Sequence, residues 1–232
     1  MAHYYAVHKT KKISKKSALP SDQLRADLKN HYGIAESEFD PSFDHLYENE
    51  SEGMKQRGGE TFFTPSHCTK IALNVQTKYR DDFWLDPQHG WPVAYHGTSA
   101  DNAGSIICNG LLVSGGQSSP THGAVHGPGV YVSPKQEVQR TIQHCVRIRT
   151  ALPSRGEASI SPNHHPQVSK GYCDKPVRIG GANYFLVFMV RVRPGSYRKV
   201  RDDVSIWVVP DCSDVRIVAI LLFRQARHTA LA

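Results

Sequence analysis

Three short stretches combine residue types that do chemistry. Tyr95-His96-Gly97-Thr98 stands where a strand pattern, WPVAYHG, gives way to a helix pattern, SADNAGSIICNG. Gly97 has no side chain, so a ligand can approach its backbone closely, and its N–H and C=O can hold an amide from two sides. His96 adds a side-chain hydrogen-bonding group beside it. In HGPGVYVS, residues 126–133, Gly127 and Gly129 flank Pro128 and deliver Tyr131 onto a strand, where its ring face can stack on a flat heterocycle. The third stretch, VSIWVVPDCSDVRIVAILL, residues 204–222, reads as two strands around the turn PDCSD. Taken singly, each has a plainer reading: a turn histidine, a hairpin with a core tyrosine, and ordinary sheet core.

The elements that position these stretches can be read from periodicity and turn chemistry. Residues 1–60 read as an N-terminal segment, the least ordered part of the chain, ahead of one larger domain over residues 61–232. That segment holds a basic tail, KTKKISKK, read as a solvated tail or a nuclear-import signal. A helix over SDQLRADLKNHYG follows, capped by Ser21, closed by Gly33, with Leu24 and Leu28 on one face. An acidic, turn-rich run from Glu36 to Gly59 completes it. Beyond it, KIALNV reads as a strand, and WPVAYHG as a strand ending at its glycine. Ser99 or Asp101 is placed to cap the next helix, which Asn109-Gly110 closes. PGVYVSP is a short strand, KQEVQRTIQHCVRIRT a helix with Val138 and Ile142 inward, and residues 150–182 a long polar loop. YFLVFMVRV, SIWVVP and VRIVAILLF give three further strands. Many short strands with few helices predict an α+β fold with a largely antiparallel sheet.

The bulk properties bound the function classes. The 232 residues are 39% hydrophobic, which suits a buried core, and the longest apolar run near the end, Ile217–Phe223, is far too short to span a bilayer. No apolar segment follows the basic tail to form a signal peptide. The five cysteines are scattered with no C-x-x-C pair, so neither a disulfide framework nor a zinc ribbon is indicated, and a cytoplasmic or nuclear setting is expected. Net charge is +7, concentrated in residues 140–201, which carry twelve Lys/Arg against Glu157 and Asp174. That block reads either as a solvated basic face or as an attractor of an anionic partner, nucleic acid included.

Together and in this order, YHGTSADNAGSIICNGL, GPGVYVS and SIWVVPDCSDVRIVAILL resemble the catalytic domain of poly(ADP-ribose) polymerase-like ADP-ribosyltransferases, over roughly residues 60–225. The resemblance implies a split, mostly antiparallel sheet with flanking helices, holding NAD as co-substrate in a cleft. It implies that His96 bonds the adenosine ribose, that Gly97 clamps the nicotinamide carboxamide, and that Tyr131 stacks on the nicotinamide ring. Thr98 and Gly129 belong to the same two motifs and join the expected NAD contacts. The loop over residues 114–128 is expected to cover the dinucleotide.

The chain departs from the family at two places. Polymerising members carry a glutamate directly before the aromatic of the third motif; Trp207 fits that aromatic, so the position falls on Ile206. The expected trio is therefore His96, Tyr131 and Ile206. Isoleucine is neither a base nor a ribose ligand, so chain elongation should be lost and a single ADP-ribose transferred to a protein or nucleic-acid acceptor, with nicotinamide released. The alternative is a catalytically inactive module that binds NAD, ADP-ribose or nucleic acid. The family also offers a serine and a second aromatic on the helix after the second motif. Here Thr141 stands in for the hydroxyl only with a shift of register, and no aromatic follows, although Tyr184 is available as a substitute from elsewhere. No metal is expected: His122 and His126 lie in a glycine-rich loop that cannot hold helical ligand spacing. A dehydrogenase is unlike this sequence, since no G-x-G-x-x-G follows a strand.

Overall fold

The computed structural model describes residues 20–48, 53–76, 78–111, 127–134, 175–201 and 206–225. Its longest strands, β8 (Ala182–Val192) and β11 (Val215–Arg224), form the centre of a six-stranded sheet. The order is β1 (His45–Tyr47), β4 (Cys68–Ala72), β11, β8 and β5 (Val93–Gly97), with β7 (Val177–Ile179) also pairing with β8. A second sheet has β10 (Ile206–Val209) between β6 (Val130–Val132) and β9 (Arg198–Arg201). A hairpin, β2 (Met54–Arg57) with β3 (Glu60–Phe63), completes the strands. Every pairing among them is antiparallel, and with the helices α1 (Pro20–Tyr32) and α2 (Ala103–Asn109) this is an α+β fold.

The near-continuous apolar run of β11 follows from burial on both faces. Ile220 and Leu222 enter the main core with Phe188, Val190 and the α1 residues Leu24 and Leu28. Leu221 and Phe223 turn the other way, into a second cluster with Tyr47, Phe62, Tyr95 and Val187. A strand covered on both sides has no reason to alternate with polar residues.

The first helix has the expected apolar face but starts one residue earlier than expected. Pro20 is its first residue, so Ser21 is buried inside the first turn and is not the cap. Its C-terminus ends as read: Gly33 is left-handed at φ 67°, and the Ile34 N–H donates to the Lys29 carbonyl at 3.1 Å. Neither Ser99 nor Asp101 caps α2 through its side chain; a short 3-10 turn, Ala100–Asn102, leads into the helix instead. Gly110, at φ 81°, closes α2 as expected.

Strands lie on both sides of the expected division at residue 60. That boundary falls in the β2–β3 hairpin, while β1, drawn from the supposed N-terminal segment, is an edge strand of the large sheet. Arg25 on α1 reaches the Asp44 carboxylate at 2.6 Å, and the same carboxylate accepts the Ala72 backbone N–H of β4 at 2.8 Å. Residues 20–48 are therefore built into the main sheet. Four strands, β1, β2, β3 and β9, were not expected from the sequence, and β7 occupies the end of what read as a long loop. The KQEVQRTIQHCVRIRT helix and most of the two long loops lie outside the described residues.

Candidate active site

Among the described residues one backbone bridge joins the two sheets, and the candidate site begins there. Tyr95 on β5 and Ser133, just after β6, form an isolated antiparallel bridge: the Tyr95 N–H donates to Ser133 at 2.8 Å and the Ser133 N–H returns at 3.0 Å. Continued in register, that ladder would set Gly97 against Tyr131. Instead the His96 imidazole reaches across, its Nδ1 2.9 Å from the Tyr131 carbonyl. The bond needs a proton on Nδ1, because a carbonyl only accepts. In the neutral ring the other nitrogen, Nε2, is then an acceptor.

Burial keeps the ring neutral. Desolvation pushes the His96 pKa below its ordinary value of about 6.5, opposed by the bond to the Tyr131 carbonyl. The imidazole thus fastens one side of the split and carries a lone pair suited to a ligand hydroxyl. Gly97 contributes the next pair of backbone groups. Hydrogen-bonding groups alternate sides along a strand, so its N–H and C=O face the same side as those of Tyr95, toward β6.

Tyr131 is fixed at both ends. Its backbone carbonyl takes the imidazole, and its hydroxyl donates to the Gly127 carbonyl at 2.7 Å, so the ring braces the loop that leads into β6. Gly129 has a packing reason for being glycine. A Cβ there would stand 2.6 Å from Val208 Cγ1 and 2.9 Å from the Val209 carbonyl, so β6 can approach β10 closely only without one. Thr98 is buried at the start of the turn after β5, its hydroxyl oxygen 3.4 Å from the Asn102 amide nitrogen. Thr141 lies outside the described residues, as does most of the loop over residues 114–128.

Ile206 is 6% exposed at the first position of β10. It stands two residues before Val208, the direct cross-strand partner of Tyr131, and therefore on the same face of the small sheet. Trp207 points to the opposite, core face. Its ring stacks on Tyr197 with centroids 4.2 Å apart, and Glu60 holds that stack by accepting from the Tyr197 hydroxyl at 2.7 Å and the Lys199 ammonium at 2.9 Å. Burial and the Glu60 carboxylate push the Tyr197 hydroxyl well above its ordinary pKa, so it remains a donor. Tyr184 pairs with Val177 on β7 and packs against the main core, beyond the end of β5.

Three of the sequence-selected residues are thus brought onto three adjoining strands, with His96 and Tyr131 in direct contact. Two contributors escaped sequence reasoning. Ser133 supplies the bridge that joins the sheets, and Arg198 stands in register with Val208 and, beyond it, Tyr131. Ser133 stood in VYVS and its partner strand in WPVAYHG, but no local pattern pairs the two. Arg198 was visible only as one charge in a basic block. Among the described residues no group of three metal-ligating side chains occurs, and no helix is long and apolar enough to cross a membrane.

No protein-family model matches the chain. Two curated proteins are similar to part of it: the protein mono-ADP-ribosyltransferase PARP8 of Mus musculus and that of Homo sapiens, each 39% identical over 90 residues. The match covers 32% of this chain, and 11% and 10% of the two relatives, so it spans about a tenth of their length. It is a partial homology to a PARP-like protein.

Proposed function

We propose that this chain is an NAD-dependent mono-ADP-ribosyltransferase, moving one ADP-ribose from NAD to a protein or nucleic-acid acceptor. The observation that carries the proposal is the split between β5 and β6, which His96 spans to hold Tyr131 while Gly97 presents one N–H and one C=O toward it. The partial homology to a mono-ADP-ribosyltransferase supports the same reaction class.

NAD supplies a glycosidic bond whose cleavage releases nicotinamide and opens a ribose carbon to a nucleophile. The residues present suit that role. Gly97 offers a donor and an acceptor to a planar carboxamide, Tyr131 a half-buried ring face, and His96 a neutral Nε2 to a ribose hydroxyl. All three are held before any ligand arrives, and such positioning is what a reaction with a good leaving group needs most. Ile206 offers no acid or base, which is why transfer stops at one unit. The scattered cysteines, of which Cys68, Cys108 and Cys212 are free thiols, support a reducing compartment, cytoplasm or nucleus.

Incubation with adenylate-labelled NAD, with free nicotinamide assayed in parallel, tests the proposal. Nicotinamide release with label added as single units is the expected result. Ile206, apolar and buried where a glutamate would act, favours a second reading, a binding module without turnover. That reading requires NAD to raise the melting temperature with no nicotinamide released.

A further inference from the structure

We propose that Tyr32, the last residue of α1, is a positioning residue for NAD, holding the turn that carries Thr98 beside the split; this rests on the NAD-dependent function proposed above. Its hydroxyl donates to the Ala100 carbonyl at 2.9 Å, across 68 residues of chain. Ala100 opens the 3-10 turn that joins β5 to α2, two residues beyond Thr98. The ring also lies against the first turn of α2. A Cβ on Gly104 would stand 3.3 Å from both Cβ and Cδ1 of Tyr32, so the lack of one lets the two helices approach closely there. Burial and the charge of Asp101 push the hydroxyl pKa up to about 12, so it is a donor at every pH an assay would use.

The turn needs an anchor from outside itself. As far as Gly97, β5 is fixed by its ladder with β8. Past that residue the chain leaves the sheet, and its own bonds are short-range. The Asn102 N–H donates to the Ser99 carbonyl at 3.0 Å, and the Thr98 hydroxyl oxygen is 3.4 Å from the Asn102 amide nitrogen. Bonds of that span set the shape of the turn and leave its place over the sheet open. Lys175 meets Asp101 at 3.8 Å, but both side chains are largely exposed, and such a pair contributes little. The bond from Tyr32 ties the turn to α1, which Leu24 and Leu28 seat in the main core. At the far end of α2, Lys78 donates to the Ile107 carbonyl at 3.3 Å, so the helix is pinned at both ends.

Losing the Tyr32 hydroxyl therefore affects binding and transfer unequally. His96, Gly97 and Tyr131 keep their places, because β8, the Ser133 bridge and the Gly127 carbonyl hold them. Thr98 and the groups after it are free to shift, and NAD meets a less ordered wall. The dissociation constant and KM for NAD rise together while kcat stays, since the groups at the leaving ring are unmoved.

The test compares the full chain with Tyr32→Phe, which keeps the ring and drops the hydroxyl. NAD affinity is measured by calorimetric titration, and nicotinamide release gives kcat and KM. Tyr32→Phe should raise the Kd and KM for NAD by about fivefold, the weight of one neutral bond, with kcat unchanged. Gly104→Ala, which crowds the ring, should raise the Kd in the same direction. Ile71→Val is the control for stability: it thins the main core three strands away from β5 and should lower the melting temperature with Kd unchanged. An unchanged Kd in folded Tyr32→Phe, or an equal rise in Ile71→Val, overturns the positioning role and leaves the transferase intact. A wild type that does not bind NAD overturns both.

Discussion

Replacing His96 by alanine removes the bond that spans the split, and its consequences can be worked through in stability, turnover and pH. The lost Nδ1–H to Tyr131 carbonyl bond is 2.9 Å long and half-buried. A neutral bond of that kind contributes about 1 kcal/mol, and a carbonyl left partly dry adds a fraction more, so the cost is roughly 1–2 kcal/mol. For a chain of this size that lowers the melting temperature by about 2–8 °C. NAD turnover should fall far more, by roughly a hundredfold or beyond, because the loop wall and the ribose contact are misplaced together. The pH dependence has a definite sign. The folded protein holds the His96 pKa below its unfolded value near 6.5, so the neutral ring dominates at neutral pH. Turnover should therefore be full above about 6.5 and decline only as pH falls through the lower folded value, where Nε2 becomes a donor. Stability follows the same direction: the unfolded chain binds the proton more readily, so stability is lost as pH drops from about 6.5 toward the folded pKa. Nicotinamide release measured from pH 4.5 to 8, alongside urea melts of both proteins, checks all three. An acid limb centred above 6.5, or full turnover in folded His96→Ala, refutes the reasoning.

Other perturbations probe the scaffold. Asp44→Ala leaves the Arg25 guanidinium, only 9% exposed, with Asp22 as a remaining partner and deletes the acceptor for the Ala72 N–H. Urea unfolding should show a loss of about 2–4 kcal/mol, from one charge-assisted bond and one orphaned backbone donor. Gly129→Ala forces a methyl to within 2.6 Å of Val208 and should cost about 1–3 kcal/mol by overpacking, with NAD turnover falling alongside in the same preparations. Tyr131→Phe keeps the ring but drops the 2.7 Å bond to the Gly127 carbonyl, so a loss of about 1 kcal/mol in urea melts with partial turnover is expected, against abolished turnover in Tyr131→Ala.

Local signals carried much of the fold. β5, β6, β8, β10 and β11 appear close to where alternation and turn residues put them, and α1 ends at the glycine chosen for it. The short strands β1, β2, β3 and β9 escaped because each is three or four residues long and partly exposed, with little periodicity to read. Their identity comes from long-range partners: β1 is a strand because Cys68–Lys70 lies beside it. An acidic, turn-rich composition likewise conceals the edge strand β1 and the β2–β3 hairpin around residue 60. At the site, residue types pointed to His96, Gly97 and Tyr131. The bond between His96 and the Tyr131 carbonyl depends on where β5 and β6 part company, which no local pattern encodes. Arg198 stands opposite Val208 and Tyr131 through register across three strands, again invisible along the chain.

The central claim is that the split between β5 and β6 receives NAD, and a crystal structure of the protein with bound NAD or its intact, unreactive analogue tests it most directly. The account predicts the nicotinamide ring against Tyr131, its carboxamide on the N–H and C=O of Gly97, and a ribose hydroxyl within hydrogen-bonding distance of His96 Nε2. A ligand seated elsewhere, or a split left empty at saturating concentration, would contradict it.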